Sequence, residues 1–419
     1  MEAAGDAGLG PLAAFLPDDV VRAILARVPA ESVLRFRAVR RAWRHLLTAD
    51  RGFLLAHHAH QPLMPVLAFV RDAAAPGDQL AEFRVQALDL RTDELRAVAE
   101  GFTGVGRGPG LDDDHAFKVH ASCDGLLLLH FLDAFYVCNP ATRQWALLPP
   151  LHSSEIAALY AHAPTGEYRV LYHRGQGLDK HYYIITLSAV DPGERTRSIG
   201  RVASSASLDA ALARGPSPAF ASPPLRLHDC LHWPPQESQE HHMLVFHTVT
   251  EAFSWMRPPV VRDTVALLEV GGKLAMSACG RGASVVELWL LQDYRNEVWI
   301  CAHQIRLPVG EISRFDDRQT WCAFVRSQDG DVLVVTPRHV LRCDVKGRVL
   351  KGFGREGREH DVTAHLLKES LVPCDISWIQ PIGSGSSDAD EDTDEDEGGD
   401  VDENAAEDLL MKMKLVPNV

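Results

Sequence analysis

Nowhere in this sequence do eighteen apolar residues run together, so no membrane-spanning helix is expected. The first residues carry Glu2 and Asp6 and no basic stretch, which does not read as a secretory signal. Asn-x-Ser/Thr is absent. The eight cysteines (123, 138, 230, 279, 301, 322, 343 and 374) are scattered without a Cys-x-x-Cys pair, as expected of reduced, mostly buried thiols in a cytoplasmic or nuclear protein. There is no Gly-x-Ser-x-Gly, no phosphate-binding Gly-x-x-x-x-Gly-Lys loop and no His-Glu-x-x-His. Gly104, Gly106, Gly108 and Gly110 lack the spacing of a dinucleotide loop, and Pro109 removes an N–H such a loop needs; they read as linker.

Charge is unevenly placed. The net charge is −15, but thirteen Asp and Glu and no Lys or Arg lie between Ser384 and Asp408; without them the balance is −2. The body is near neutral and the acidity is a tail, expected to be disordered by self-repulsion. Residues 16–60 run the other way, with eight arginines against Asp18, Asp19, Glu31 and Asp50. A locally basic module suits an acidic partner. Nucleic acid is disfavoured, because these arginines interleave with apolar residues and no wider basic face is evident.

Within 16–60 the apolar residues fall at helical spacing. Pro17 suits a first helical turn, and Asp18 and Asp19 meet the positive end of the helix dipole. Val20, Val21, Ile24, Leu25 and Val28 form one stripe, and Pro29 stops the helix. Val33, Leu34, Phe36, Val39, Trp43, Leu46 and Leu47 predict further helix with a bend near 38–40, and Phe53, Leu54 and Leu55 a fourth helix over 50–60. Units this small lack core volume, so part of the stripe must pack on other parts of the chain or on a partner.

The ordered set Leu16-Pro17-Asp18-Asp19-Val20-Val21, Ile24-Leu25, Arg27-Val28-Pro29, Ser32-Val33-Leu34-Arg35, Val39 and Trp43 closely resembles the F-box. Val28 stands where the family has Leu, and Arg40-Arg41 where Cys or Ser followed by Lys is common. The resemblance implies a three-helix module docking on the Skp-type adaptor of cullin-based ubiquitin ligases through Leu16, Pro17, Val20, Ile24, Leu25, Val28, Leu34 and Trp43.

From Leu63 to Ile382 the helical period gives way to short apolar runs bounded by Gly, Pro, Asn and Asp, among them 66–70, 83–88, 125–130, 134–138, 168–172, 182–187, 243–247, 265–270, 273–277, 285–291, 298–305, 321–325, 332–336 and 340–344. These predict an all-β region. Residues 101–114 and 203–224 read as long loops. Three stretches share one plan, a glycine turn, two apolar strands, a polar turn and a third strand begun by a large residue. They start at Asp124-Gly125, Gly271-Gly272 and Asp329-Gly330. Such repeats suggest propeller blades, and 320 residues at about 45 per blade give about seven. Cys123-Asp124-Gly125-Leu126 with Val137-Cys138-Asn139-Pro140-Ala141-Thr142-Arg143-Gln144-Trp145, Asp229-Cys230-Leu231-His232-Trp233 and Glu287-Leu288-Trp289 with Trp299 is similar to the plant F-box-associated, kelch-like region.

His228-x-Cys230-x-His232 is the best metal candidate, since alternation would place all three on one strand face, but a core or edge strand is the commoner meaning. His57-His58-x-His60 and His241-His242 read as solvated, and Asp112-Asp113-Asp114 lacks the ligand pattern of a Ca²⁺ loop. No metal or cofactor is therefore expected.

The expected organisation is α+β and multidomain. Residues 1–15 form a disordered start, 16–60 the helical module, 61–382 a propeller-like β domain, and 383–419 an acidic tail ending in a short Leu/Met-rich helix. The expected function is that of a non-catalytic substrate receptor, joined to cullin through the adaptor and holding a target protein by its β domain, without nucleic acid or membrane. A scaffold that binds the adaptor without ubiquitin transfer, and a propeller enzyme, are the alternatives. Ser386, Ser387 and Thr393 precede acidic residues, as acidic-directed kinases require.

Overall fold

The computed structural model describes residues 17–376 except 40, 72–80, 104–116, 132–133, 152–153, 176–180, 188–195, 200–222 (save Leu208 and Leu212), 236–240, 317–320, 326–330, 337–338 and 355–359. The glycine-rich linker, the Asp112–Asp114 run and the acidic tail lie outside the described residues. Two compact units are present: one holds the N-terminal helices with Glu369–Val372, the other Pro62–Lys368 and the residues from Pro373 on.

The first unit has four helices, α1 (Asp18–Leu25), α2 (Ala30–Phe36), α3 (Arg41–Ala49) and α4 (Arg51–His60), where the resemblance implies three. The fourth is fixed by Asp50, whose carboxylate N-caps α4 by accepting from the Phe53 N–H at 2.8 Å. α1 ends at Leu25, earlier than the apolar stripe suggests. Pro29 disfavours helix at Val28, and the Arg27 N–H turns in to the Ile24 carbonyl at 2.9 Å, tightening the last turn. Leu25, Ala26, Ala30, Val33, Leu47, Phe53 and Leu54 are buried.

Arg22 joins the first and last helices. Its guanidinium grips Asp50 at 2.7 and 3.1 Å, and this pair holds the Asp50 carboxyl at about 2. Contrary to the expectation of a solvated His57, the ring is buried, with Nε2 2.9 Å from the Val28 carbonyl. Nε2 therefore carries the proton, and burial pushes the imidazole pKa down.

The second unit contains six four-stranded antiparallel sheets. The first is β1 (Met64–Arg71), β2 (Ala81–Asp89) and β3 (Glu94–Thr103). The second is β4 (Lys118–Cys123), β5 (Leu126–Phe131), β6 (Ala134–Asn139) and β7 (Gln144–Leu147). The third is β8 (Ser154–Ala161), β9 (Tyr168–Arg174), β10 (His181–Leu187) and β11 (Thr196–Ser198). The fourth is β12 (Leu225–Leu227), β13 (Cys230–His232), β14 (Met243–His247) and β15 (Ala252–Met256). The fifth is β16 (Thr264–Val270), β17 (Lys273–Cys279), β18 (Val285–Asp293) and β19 (Val298–Arg306). After a one-turn helix, α5 (Val309–Ile312), the sixth is β20 (Cys322–Val325), β21 (Val332–Val335), β22 (His339–Cys343) and β23 (Val349–Gly354). The last strand, β24 (His360–Leu367), returns to pair with β1 and completes the first sheet.

The sheets are the blades of a propeller because each buries its faces against its neighbours. One apolar cluster joins blades 1 and 2 (Phe83, Phe131, Tyr136), another blades 2 and 3 (Val137, Tyr172), a third blades 3 and 4 (Tyr160, Phe246). Met243 and Met276 join blades 4 and 5, Trp321 and Val286 blades 5 and 6. Leu333 and Phe353 against Leu67 and Leu88 close the ring. The ion pair of Arg342 with Asp93, beside Asp331 at 3.0 Å, fastens the same seam.

The described residues form six blades rather than about seven. Blades of 45 residues were expected, but long connections such as 200–222 lengthen the average repeat. Within that stretch the described residues Leu208 and Leu212 are helical and fully buried in the third cluster. Gly101–Thr103 likewise belongs to β3 and not to a loop.

One turn design recurs between the third and outermost strands. Asp89, Asn139, Asp293 and Asp344 each accept backbone N–H groups of the following turn through a side-chain oxygen. His247 does so through Nδ1. A left-handed residue follows three or four positions later: Asp93, Arg143, Glu251, Glu297 and Gly347. The two-residue turns at Asp124-Gly125 and Gly271-Gly272 also have positive φ at both positions, as tight hairpins need.

Candidate partner-docking site

Of the residues the sequence singles out, Leu16 lies outside the described residues. Pro17 is exposed at the N-cap of α1, where its carbonyl accepts from the Val21 N–H at 3.0 Å. Val20 and Ile24 lie one helical turn apart and remain 38% and 49% exposed, so they share one solvent-facing stripe. Leu25, the next residue, points the other way: it is 3% exposed and serves the core of the unit. Val28, Leu34 and Trp43 are half-buried. Trp43 packs edge-on against Phe36, with ring centroids 6.0 Å apart, and so braces α3 on α2.

Two further apolar residues of this unit are exposed, Val39 at 60% and Leu55 at 48%. The sequence reading assigned Val39 to the helix pattern and Leu55 to the fourth helix, without a docking role. Periodicity alone does not separate a buried face from an open one. Val20, Ile24, Val39 and Leu55 are thus four large apolar side chains left open to solvent on one small unit.

The metal candidate resolves differently. His228 and Asp229 form the two-residue turn between β12 and β13, with φ of 50° and 56°, so only Cys230 and His232 are in the strand. Both ring nitrogens of His232 are engaged. Nδ1 faces the Leu225 carbonyl at 3.2 Å and must donate; Nε2 then accepts from the Tyr294 hydroxyl at 2.6 Å. Burial drives this imidazole down to about 4, a neutral core histidine linking blades 4 and 5. Burial also pushes the Cys230 thiol up, away from thiolate. Among the described residues no group of three His, Cys, Asp or Glu side chains is placed to hold a metal ion. His58 bonds through Nδ1 to the Glu369 carbonyl and His60 to the Ala56 carbonyl, while His241 is exposed and His242 lies half-buried beside Trp255.

No family model matches the chain. Among curated proteins, an F-box protein of Arabidopsis thaliana is 30% identical over 179 residues, 40% of this chain and 40% of that protein. A putative F-box/kelch-repeat protein of the same plant is 28% identical over 144 residues, 32% of each. Another Arabidopsis F-box protein is 22% identical over 307 residues, 68% of this chain and 71% of its own. Over these stretches the chain is similar to F-box proteins of this plant. The matches span about a third to two fifths of the first of these relatives. Among solved structures, a β-propeller domain of Myceliophteria thermophila is 9% identical and covers 70% of this chain and 88% of its own, with a TM-score of 0.37. At that score the likeness carries no weight, and the propeller assignment of this chain stands on its own sheet order and inter-blade clusters.

Proposed function

We propose that the protein is the substrate-recognition subunit of a Skp–cullin–F-box ubiquitin ligase. The observation that carries this reading is the open apolar stripe of α1, Pro17, Val20 and Ile24, in a helical unit whose sequence resembles the F-box. Relatives named as F-box proteins support it. The unit binds the adaptor and through it cullin, and the propeller holds a target protein. The chain performs no covalent chemistry; it raises the local concentration of target beside the ubiquitin-carrying enzyme. Such a receptor works in the cytoplasm or nucleus, where cullin ligases are reached.

The direct test is capture of purified Skp-type adaptor by the full chain, beside the Leu16→Ala/Pro17→Ala variant. Loss of capture with an unchanged thermal melt supports the reading; unchanged capture removes it. A scaffold without ubiquitin transfer would capture adaptor equally but leave a co-purified target stable when the proteasome is active.

A further inference from the structure

The helical unit is not built from the N-terminal sequence alone. Glu369–Val372, which follow the last propeller strand, are part of it. The Glu369 carboxylate accepts from the backbone N–H of Ala30 at 3.0 Å. Ala30 is the first residue of α2, whose N-cap is Pro29, and Pro29 offers no side-chain cap. Glu369 therefore supplies from 339 residues away what a Ser or Asp at the N-cap would supply locally. Its backbone carbonyl is 2.9 Å from His58 Nδ1 on α4. One residue thus holds the start of α2 and the end of α4. Ser370 and Leu371 beside it are each only 3% exposed.

The segment follows directly on the closing strand. Leu367, two residues before Glu369, is paired with Met64 at the start of β1, and both side chains are 1% exposed in the cluster that joins blades 1 and 2. With β24 unpaired from β1, residues 369–372 would sit on an open chain end and search for the helices at far lower effective concentration.

We propose that Glu369–Leu371 form a strap that completes the adaptor-docking unit, so that closure of the propeller licenses the N-terminal helices. A chain whose last blade has not closed then lacks a finished docking unit, and incomplete receptors are kept from the ligase. The licensing rests on the adaptor reading above; the strap itself does not.

The test uses the full chain and amide hydrogen exchange. Glu369→Ala/Leu371→Ser removes the strap's contacts and leaves β24 intact. Leu367→Ser loosens β24 and leaves the strap sequence intact. Exchange within 30–36 and 51–60 should rise about tenfold or more in both variants, while blades 3 to 5 keep wild-type protection. Adaptor capture should weaken in step. Unchanged helix exchange in the first variant would overturn the strap, and unchanged helix exchange in the second, with β24 visibly loosened, would overturn the link to closure. If the wild-type chain captures no adaptor at all, the functional reading fails, while the exchange result still decides the strap.

Discussion

Ile24 and Leu25 are neighbours on α1 with opposite surroundings, and this makes a sharp experiment. Leu25 is 3% exposed and Ile24 49%. Leu25→Ala removes buried methyl groups from a small core that includes Leu25, Ala26, Ala30, Val33, Leu47, Phe53 and Leu54. The cost should be about 2–5 kcal/mol. A unit of this size cannot absorb that, so helix exchange should rise throughout residues 18–60. Ile24→Ala trims a side chain whose open half touches only water in the free protein, and the fold should change by less than about 0.5 kcal/mol. If that open half is buried by adaptor, its removal costs roughly 1–1.5 kcal/mol of binding, about a tenfold rise in Kd. Calorimetric titration with purified adaptor gives the second number, and hydrogen exchange of the same samples gives the first. Ile24→Ala binding as wild type, or unfolding the unit as Leu25→Ala does, would refute the assignment of the α1 stripe to a partner.

Gly347→Ala should lower the propeller melt clearly, by about 3 kcal/mol or more: φ is +74° and an added Cβ would lie 1.8 Å from the Arg306 carbonyl oxygen, where only backbone movement makes room. His232 makes the propeller acid-sensitive. Its folded pKa, about 4, lies below the ordinary 6.5, so its stabilising effect is complete above pH 6.5 and is lost as pH falls toward 4. Urea unfolding at pH 7 and pH 5 should differ by on the order of 2 kcal/mol from this group, and His232→Gln should flatten that part of the difference. Asp50, held at about 2 by Arg22, has the same sign at lower pH: its contribution is present above pH 3.8 and disappears below, so exchange in α4 should accelerate between pH 4 and pH 2. Deleting residues 384–419 should leave the melt within a degree or two, since a segment with thirteen acidic residues buries little; a larger loss would reveal docking of the terminal Leu/Met stretch.

The strands legible in the sequence are mostly of one kind. Runs such as 126–131, 134–139, 168–174, 182–187, 332–335 and 339–343 are the two middle strands of their blades. Neighbouring blades cover both their faces, so nearly every residue must be apolar and the run stands out. The strands that carried no clear signal are the innermost and outermost: β4, β8, β12 and β24, and β3, β7, β11, β15 and β23. β7 is buried only at its two middle residues and β15 only at Phe253 and Met256, while β11 is exposed throughout. Strands of three to five residues with so little burial carry a weak periodic signal. Blade 5 departs from this, since β16 and β19 were both legible, and so does blade 6, whose first strand β20 falls in the run 321–325. The polar turns could also be read, because Asn139, Asp293 and Asp344 act through hydrogen bonds to residues only two to four positions away.

What was hidden in the helical unit was hidden by distance along the chain. The apolar stripe of α1 is visible at spacing three and four, but its division into an open half with Ile24 and a closed half with Leu25 is not. Arg22 and Asp50 look like isolated surface charges until α4 brings them to 2.7 Å. Pro29 reads as a helix stop, which it is, yet it also leaves the N–H of Ala30 without a local acceptor. A missing cap is detectable in a sequence; the residue that fills it from 339 positions away is not, because no periodicity or spacing connects them. The first unit is therefore completed by residues that come after the last strand in the sequence, and chain order conceals them.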